Sequence, residues 1–99
     1  MRKEDVVFVV GLLRKTVQER RKMTISDAQV IVNRLNLLYN SDVLKYKEEI
    51  ESYIDMKINY FIRKNNKSKE NEYLKIRKRN IAFFEFFLEN KEKFIPKSQ

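Results

Sequence analysis

The sequence predicts an all-α fold, a small bundle or open array of about four helices forming a single domain over residues 1–99. Three observations carry this. The chain holds one glycine and one proline, too few for the turns that a sheet protein needs. Apolar residues recur at helical spacing in four separate stretches. The breaks between those stretches are short and polar, as connections between neighbouring helices are. A hydrophobic fraction of 42%, with five tyrosines and seven phenylalanines, argues for a folded domain rather than disorder. A chain this long buries about 60–65% of its unfolded surface, enough for one modest core.

Helix one is expected over residues 3–22, with Glu4 and Asp5 at its start and Arg20, Arg21 and Lys22 at its end, as the helix dipole favours. Val6, Val9, Val10, Leu13 and Val17 make its stripe, while Phe8 and Leu12 fall to the other side. The first half is thus apolar nearly all round, which implies two neighbours or a second subunit. The β-branched run Val6–Val10 also fits a buried strand, but no other stretch reads as a strand to pair with it. Ser26 reads as the N-cap of helix two, with Gln29 completing a capping box. That helix continues to about Tyr39, with Val30, Leu37 and Leu38 inward and Ile31 and Leu35 nearby. Asn40 and Ser41 break it, and Ser41 caps helix three.

Helix three runs from about Asp42 to Lys64, with a seam of Val43, Tyr46, Ile50, Tyr53 or Ile54, Met56 or Lys57, and Phe61. Its opposite face carries Glu48, Glu51 and Asp55. Residues 65–69 form the clearest break, capped by Ser68. Helix four follows from about Lys69 to Asn90 and carries the largest apolar anchor: Tyr73, Ile76, Asn80, Ile81, Phe83, Phe84, Phe87 and Leu88 share one half of its wheel. Lys75, Lys78 and Arg79 lie on the other half, with Phe86 beside Arg79. Arg77 falls within the apolar half and needs a partner. Pro96 ends any continuation, leaving residues 91–99 as a short basic tail.

The formal net charge is +8. Residues 1–23 hold seven basic and three acidic groups and residues 63–99 eleven and five, whereas residues 41–62 hold three basic and five acidic. Positive charge at this density attracts polyanions. The candidate phosphate-binding residues are Arg63, Lys64, Lys67, Lys69, Lys75, Lys78 and Arg79, with a second cluster at Arg20, Arg21 and Lys22 that Arg14 and Lys15 extend along helix one. Phosphate binding uses clustered Lys and Arg because released counterions supply the free energy. Phe86, on the basic face, is the aromatic placed for base stacking or for a subunit contact; the other phenylalanines of helix four are placed for the core. The stretch 22–36 only faintly suggests a helix-turn-helix and lacks its turn glycine, so little sequence reading is expected.

With no cysteine and no histidine there is no disulfide, no thiolate metal site and no imidazole acid or base. Nor is there a glycine-rich phosphate loop, so the sequence is read as non-enzymatic, without cofactor or metal and with no small-molecule substrate in evidence. Glu48, Glu51 and Asp55 share a single helix face, which cannot surround a hard cation; a basic stripe on another subunit would suit them better. The triplet at residues 66–68 fits a glycosylation acceptor by chance, since no signal peptide accompanies it. The longest apolar run, Val6–Leu13, is far short of the about 20 residues that span a bilayer. An intracellular location is the expectation that follows.

Two functions remain. One is an accessory or regulatory protein binding nucleic acid through phosphate contacts. The other is a helical protein-interaction module or small inhibitor, acting on an acidic or apolar partner or as a homodimer through helix one and Phe86.

Overall fold

Four α-helices and two 3₁₀ turns make up the computed structural model, which describes residues 1–96. In chain order these are α1 (Lys3–Gln18), α2 (Ile25–Leu35), a turn at Leu37–Tyr39, α3 (Val43–Arg63), α4 (Lys67–Glu89) and a turn at Lys91–Lys93. No strand occurs among the described residues, so Val6–Val10 is helix. Lacking a strand to pair with, its valines bury one side: Val6, Val9 and Val10 join Leu13 in the core.

α1 stops four residues short of the expected end. The Arg20 N–H donates to the Val17 carbonyl and the Arg21 N–H to the Thr16 carbonyl, both at 3.1 Å. This pattern ends a helix with one left-handed residue, here Arg20 at φ 54°. Glycine is the usual occupant, so its absence hid the stop. The consequence is functional: Arg20, Arg21 and Lys22 leave α1 and form its exit.

α2 is capped two residues earlier than Ser26 and Gln29 implied. The Thr24 hydroxyl accepts from the Asp27 N–H at 3.1 Å, and the Asp27 carboxylate accepts from the Thr24 N–H at 2.9 Å. The inward face is Ala28, Ile31, Val32 and Leu35; Val30, expected inward, is 44% exposed. Asn36, at φ 53°, ends the helix before Tyr39, and the following turn sends Leu37 into the core. Ser41 caps nothing: Asp42 holds the N-cap position of α3 without a side-chain bond.

α3 and α4 pack as an antiparallel hairpin, with Phe61 against Tyr73 (ring centroids 5.6 Å apart) and Arg77 bonded to Asp55 at 2.9 Å. Asn65, at φ 54°, closes α3, and the Asn66 N–H donates to the Phe61 carbonyl at 2.9 Å. Asn66, not Ser68, then caps α4 by accepting from the Lys69 N–H at 3.1 Å. The core side of α3 is Val43, Ile50, Ile54 and Ile58, with Met56 outside. Tyr73, Ile76, Phe83, Phe84 and Phe87 of α4 fill the space between α3 and α1. Each such side chain, fully buried, contributes about 1.5–3 kcal/mol. Leu88, placed in the apolar half by the wheel, is exposed.

Residues 91–95 are not a free tail. Phe94 is only 4% exposed and packs edge-on to Phe86 and against Phe87. Gln29, expected to complete a capping box, instead clamps the Ile95 backbone, donating to its carbonyl at 3.0 Å and accepting from its N–H at 2.9 Å. Residues 97–99 of the expected tail lie outside the described residues. One polar group stands out in the core: the Asn80 side chain is fully buried, and neither amide atom has a hydrogen-bond partner among the described residues.

Candidate nucleic-acid interface and apolar groove

The candidate cations divide into three groups once their partners are known. Arg79 is structural. Its Nη1 donates to the Thr16 hydroxyl at 2.9 Å and to the Arg21 carbonyl, holding the exit of α1 against α4. Two turns earlier on α4, Glu72 accepts from Arg14 at 2.6 Å and from Gln18 at 3.4 Å. Glu72 and Arg79 therefore grip the second half of α1 together, and Arg79 is not displayed for phosphate as its position on the wheel implied.

A second group is paired with carboxylates. Arg21 bonds Asp27 at 2.6 Å and Glu19 at 2.7 Å. This guanidinium, helped by the Thr24 N–H, holds the Asp27 carboxyl at about 2, well below the usual range. Lys67 lies 3.5 Å from Glu70 and Lys69 3.8 Å from Glu72. Exposed pairs of this kind are weak, so these two lysines still present positive charge to solvent.

The third group has no carboxylate partner among the described residues: Arg20, Lys22, Arg63, Lys64, Lys75 and Lys78. All six are exposed. Lys75 and Lys78 lie on the outward side of α4, one turn apart, beside the edge where Glu72 and Arg79 meet α1. Arg63 and Lys64 stand at the corner that feeds α4, and Arg20 and Lys22 at the exit of α1. The acidic face of α3 does not neutralise this set. Glu51 and Asp55 are taken by Arg77, at 3.9 and 2.9 Å, and Glu51 also by Lys47 at 3.6 Å. Glu51 and Asp55 thus find within the chain the partner sought on another subunit, and they are the partners Arg77 needed, while Glu48 is exposed with no basic partner among the described residues.

Phe86 is 37% exposed. It lines a groove of about 440 Å³ whose walls are Ile25 and Ala28 of α2 and Arg79, Ala82, Phe83 and Phe86 of α4, with Lys22, Met23 and Thr24 across one end. The groove exists because α2 packs on α1 and on the 37–39 turn rather than closing onto α4, and because alanines face it from both helices. Lys93 stands 5.7 Å from the centre of the Phe86 ring. Phe86, Lys22 and Arg79 were legible in the sequence as candidate site residues but not as parts of one groove, because no local pattern brings Met23–Ala28 to Ala82–Phe86. Phe8, on the second apolar side of α1, is partly covered within the chain: the Arg34 guanidinium sits 4.4 Å from its ring centre, anchored by Asp5 at 2.7 Å.

Among the described residues no group of three potential ligand side chains is placed to hold a metal ion, and no helix is long and apolar enough to cross a membrane. No protein-family model, curated protein or solved structure matches the chain.

Proposed function

We propose that this protein is a non-enzymatic nucleic-acid-binding protein that grips phosphates with Lys75 and Lys78 on α4, Arg63 and Lys64 at the α3–α4 corner, and Arg20 and Lys22 at the exit of α1. The observation that carries the reading is the residue of charge after internal pairing: these six exposed cations keep no carboxylate partner among the described residues. Cations left unpaired on a folded surface hold condensed anions only loosely. A phosphate backbone replaces many such anions at once and releases its own counterions, which is the main source of affinity in such complexes. Contacts of this type fix position and carry no base identity, so little discrimination between sequences is expected.

Charge reversal tests this reading. Lys75→Glu with Lys78→Glu should lower affinity for a mixed-sequence duplex at least tenfold at physiological salt. Reversing Lys47, which the acidic face of α3 already engages, should leave it within about twofold. Because one reversal is compared with two, a Lys47→Glu loss of about half the double variant's loss in log affinity would mean net charge alone is being read. Tighter binding to an acidic protein than to DNA or RNA would assign the same cations to a protein partner.

A further inference from the structure

We infer that the groove between α2 and α4 is a docking site for a short segment of a partner protein, one that inserts a large apolar side chain and carries a carboxylate beside it. This surface is separate from the outward face of Lys75 and Lys78, and the inference does not rest on the nucleic-acid reading. The floor and walls are apolar: Met23, Ile25, Ala28, Ala82, Phe83 and Phe86. Ile25 and Phe86 remain exposed at the lips, where an inserted side chain would cover them. The polar members of the lining are Thr24 and two cations, Lys22 and Arg79; no carboxylate lines the groove. Asp27, the nearest acidic residue on α2, is committed to Arg21 and to the helix cap. On α4, Glu89 projects about 60° and Glu85 about 100° around the helix from Phe86, and neither lines the groove. Lys93 adds a third positive group at the Phe86 side. An apolar slot rimmed by cations is complementary to an acidic–apolar segment and repels a basic one, which is how charge sets partner choice at an interface.

The length of the slot bounds the occupant. Arg79 to Phe86 spans seven residues of helix, about 10 Å. The groove is closed at one end by residues 22–24, and near the other Phe94 packs on Phe86 while Gln29 holds Ile95. That space takes one or two side chains, an anchor in a pocket, rather than a long helix laid along a surface. A nucleobase would stack on Phe86 and meet Lys22 and Arg79 as donors, so it is the competing occupant, and an oligonucleotide is one arm of the test.

The test is selection of a displayed library of random 12-residue peptides on the full chain, followed by fluorescence-polarisation titration of the winners. Ala82→Arg fills the slot from an exposed helix position, where arginine is a good helix former, so it should fold. The expected result is enrichment of peptides with Leu, Phe, Met or Trp within four residues of Asp or Glu. Ala82→Arg should weaken their binding at least tenfold and Lys22→Glu about fivefold, while Lys75→Glu with Lys78→Glu leaves it unchanged. That last variant separates the two readings, since it is the one that should weaken nucleic-acid binding at least tenfold. No enriched peptide, enrichment without acidic residues, or equal binding to Ala82→Arg would overturn the inference. So would an oligonucleotide or a fatty-acid probe such as decanoate that binds wild type and not Ala82→Arg, or dimerisation that Ala82→Arg abolishes.

Discussion

Arg79→Ala should destabilise the protein and leave its nucleic-acid surface nearly intact. The side chain supplies two hydrogen bonds, to the Thr16 hydroxyl and the Arg21 carbonyl, from a partly buried position. Bonds made by charged donors contribute about 1.5–3 kcal/mol where water cannot replace them. Thr16 keeps its own bond to the Leu13 carbonyl at 2.7 Å, so only the Arg21 carbonyl is left without its partner. The loss should be about 2 kcal/mol in total. For a domain of this size each kcal/mol moves Tm by about 4–8 °C, so a fall of about 8–16 °C is expected. Lys78→Ala, at an exposed site without a partner, should stay within about 0.5 kcal/mol of wild type. Urea unfolding followed by helical circular dichroism gives the stabilities, and oligonucleotide titration gives the affinities. An Arg79→Ala protein that unfolds within about 0.5 kcal/mol of wild type and loses affinity as steeply as Lys78→Ala would refute the structural role of Arg79.

Three further outcomes follow from the packing. Asp27 has a folded pKa below its unfolded one, so its contribution is present above the usual carboxylate range and is lost as pH falls from about 4 through about 2. Asp27→Asn should flatten that acid limb of a pH–stability curve and cost about 1 kcal/mol at neutral pH, the usual worth of a cap; an unchanged limb would disprove the assignment. Phe94→Ala should cost about 3 kcal/mol, the low end for a buried phenylalanine, in the same urea assay, whereas a free tail would show no loss. Asn80→Leu should stabilise by about 1–2 kcal/mol, because it removes a buried amide without a protein partner. A destabilised Asn80→Leu would show that the amide is satisfied in solution.

The sequence made the fold class legible because it depends on periodicity and on the scarcity of glycine and proline. α4 in particular could be read almost whole: Tyr73, Ile76, Phe83, Phe84 and Phe87 are in the core as their spacing implied. Helix ends were less legible. Left-handed positions that fall on Arg20 and Asn36 rather than glycine hid two ends, whereas Asn65 lies in the polar break at 65–69 that the sequence did show. The caps were misplaced because Thr24 and Asn66 compete with nearby Ser26 and Ser68, and only the backbone path decides which hydroxyl or amide meets a free N–H. Charge was legible as a total but not as a surface. Arg79 and Lys75 are four residues apart and look alike in sequence; one is tied to the end of α1 and the other faces water. The groove was not legible, since it depends on how far α2 stands from α4, a quantity set by tertiary packing alone.

The most direct test is the salt dependence of binding to a mixed-sequence duplex, a single strand and an RNA of equal length, from low to physiological salt. Six phosphate contacts give a slope of log affinity against log salt of about −5 on duplex, at about 0.9 per contact. Lys75→Glu with Lys78→Glu should bring it to about −3.5 by removing two of them. That pair of slopes, with measurable binding at physiological salt, is the predicted result. Absent binding, or a slope that the double substitution leaves unchanged, would contradict the assignment of the α4 face to phosphate.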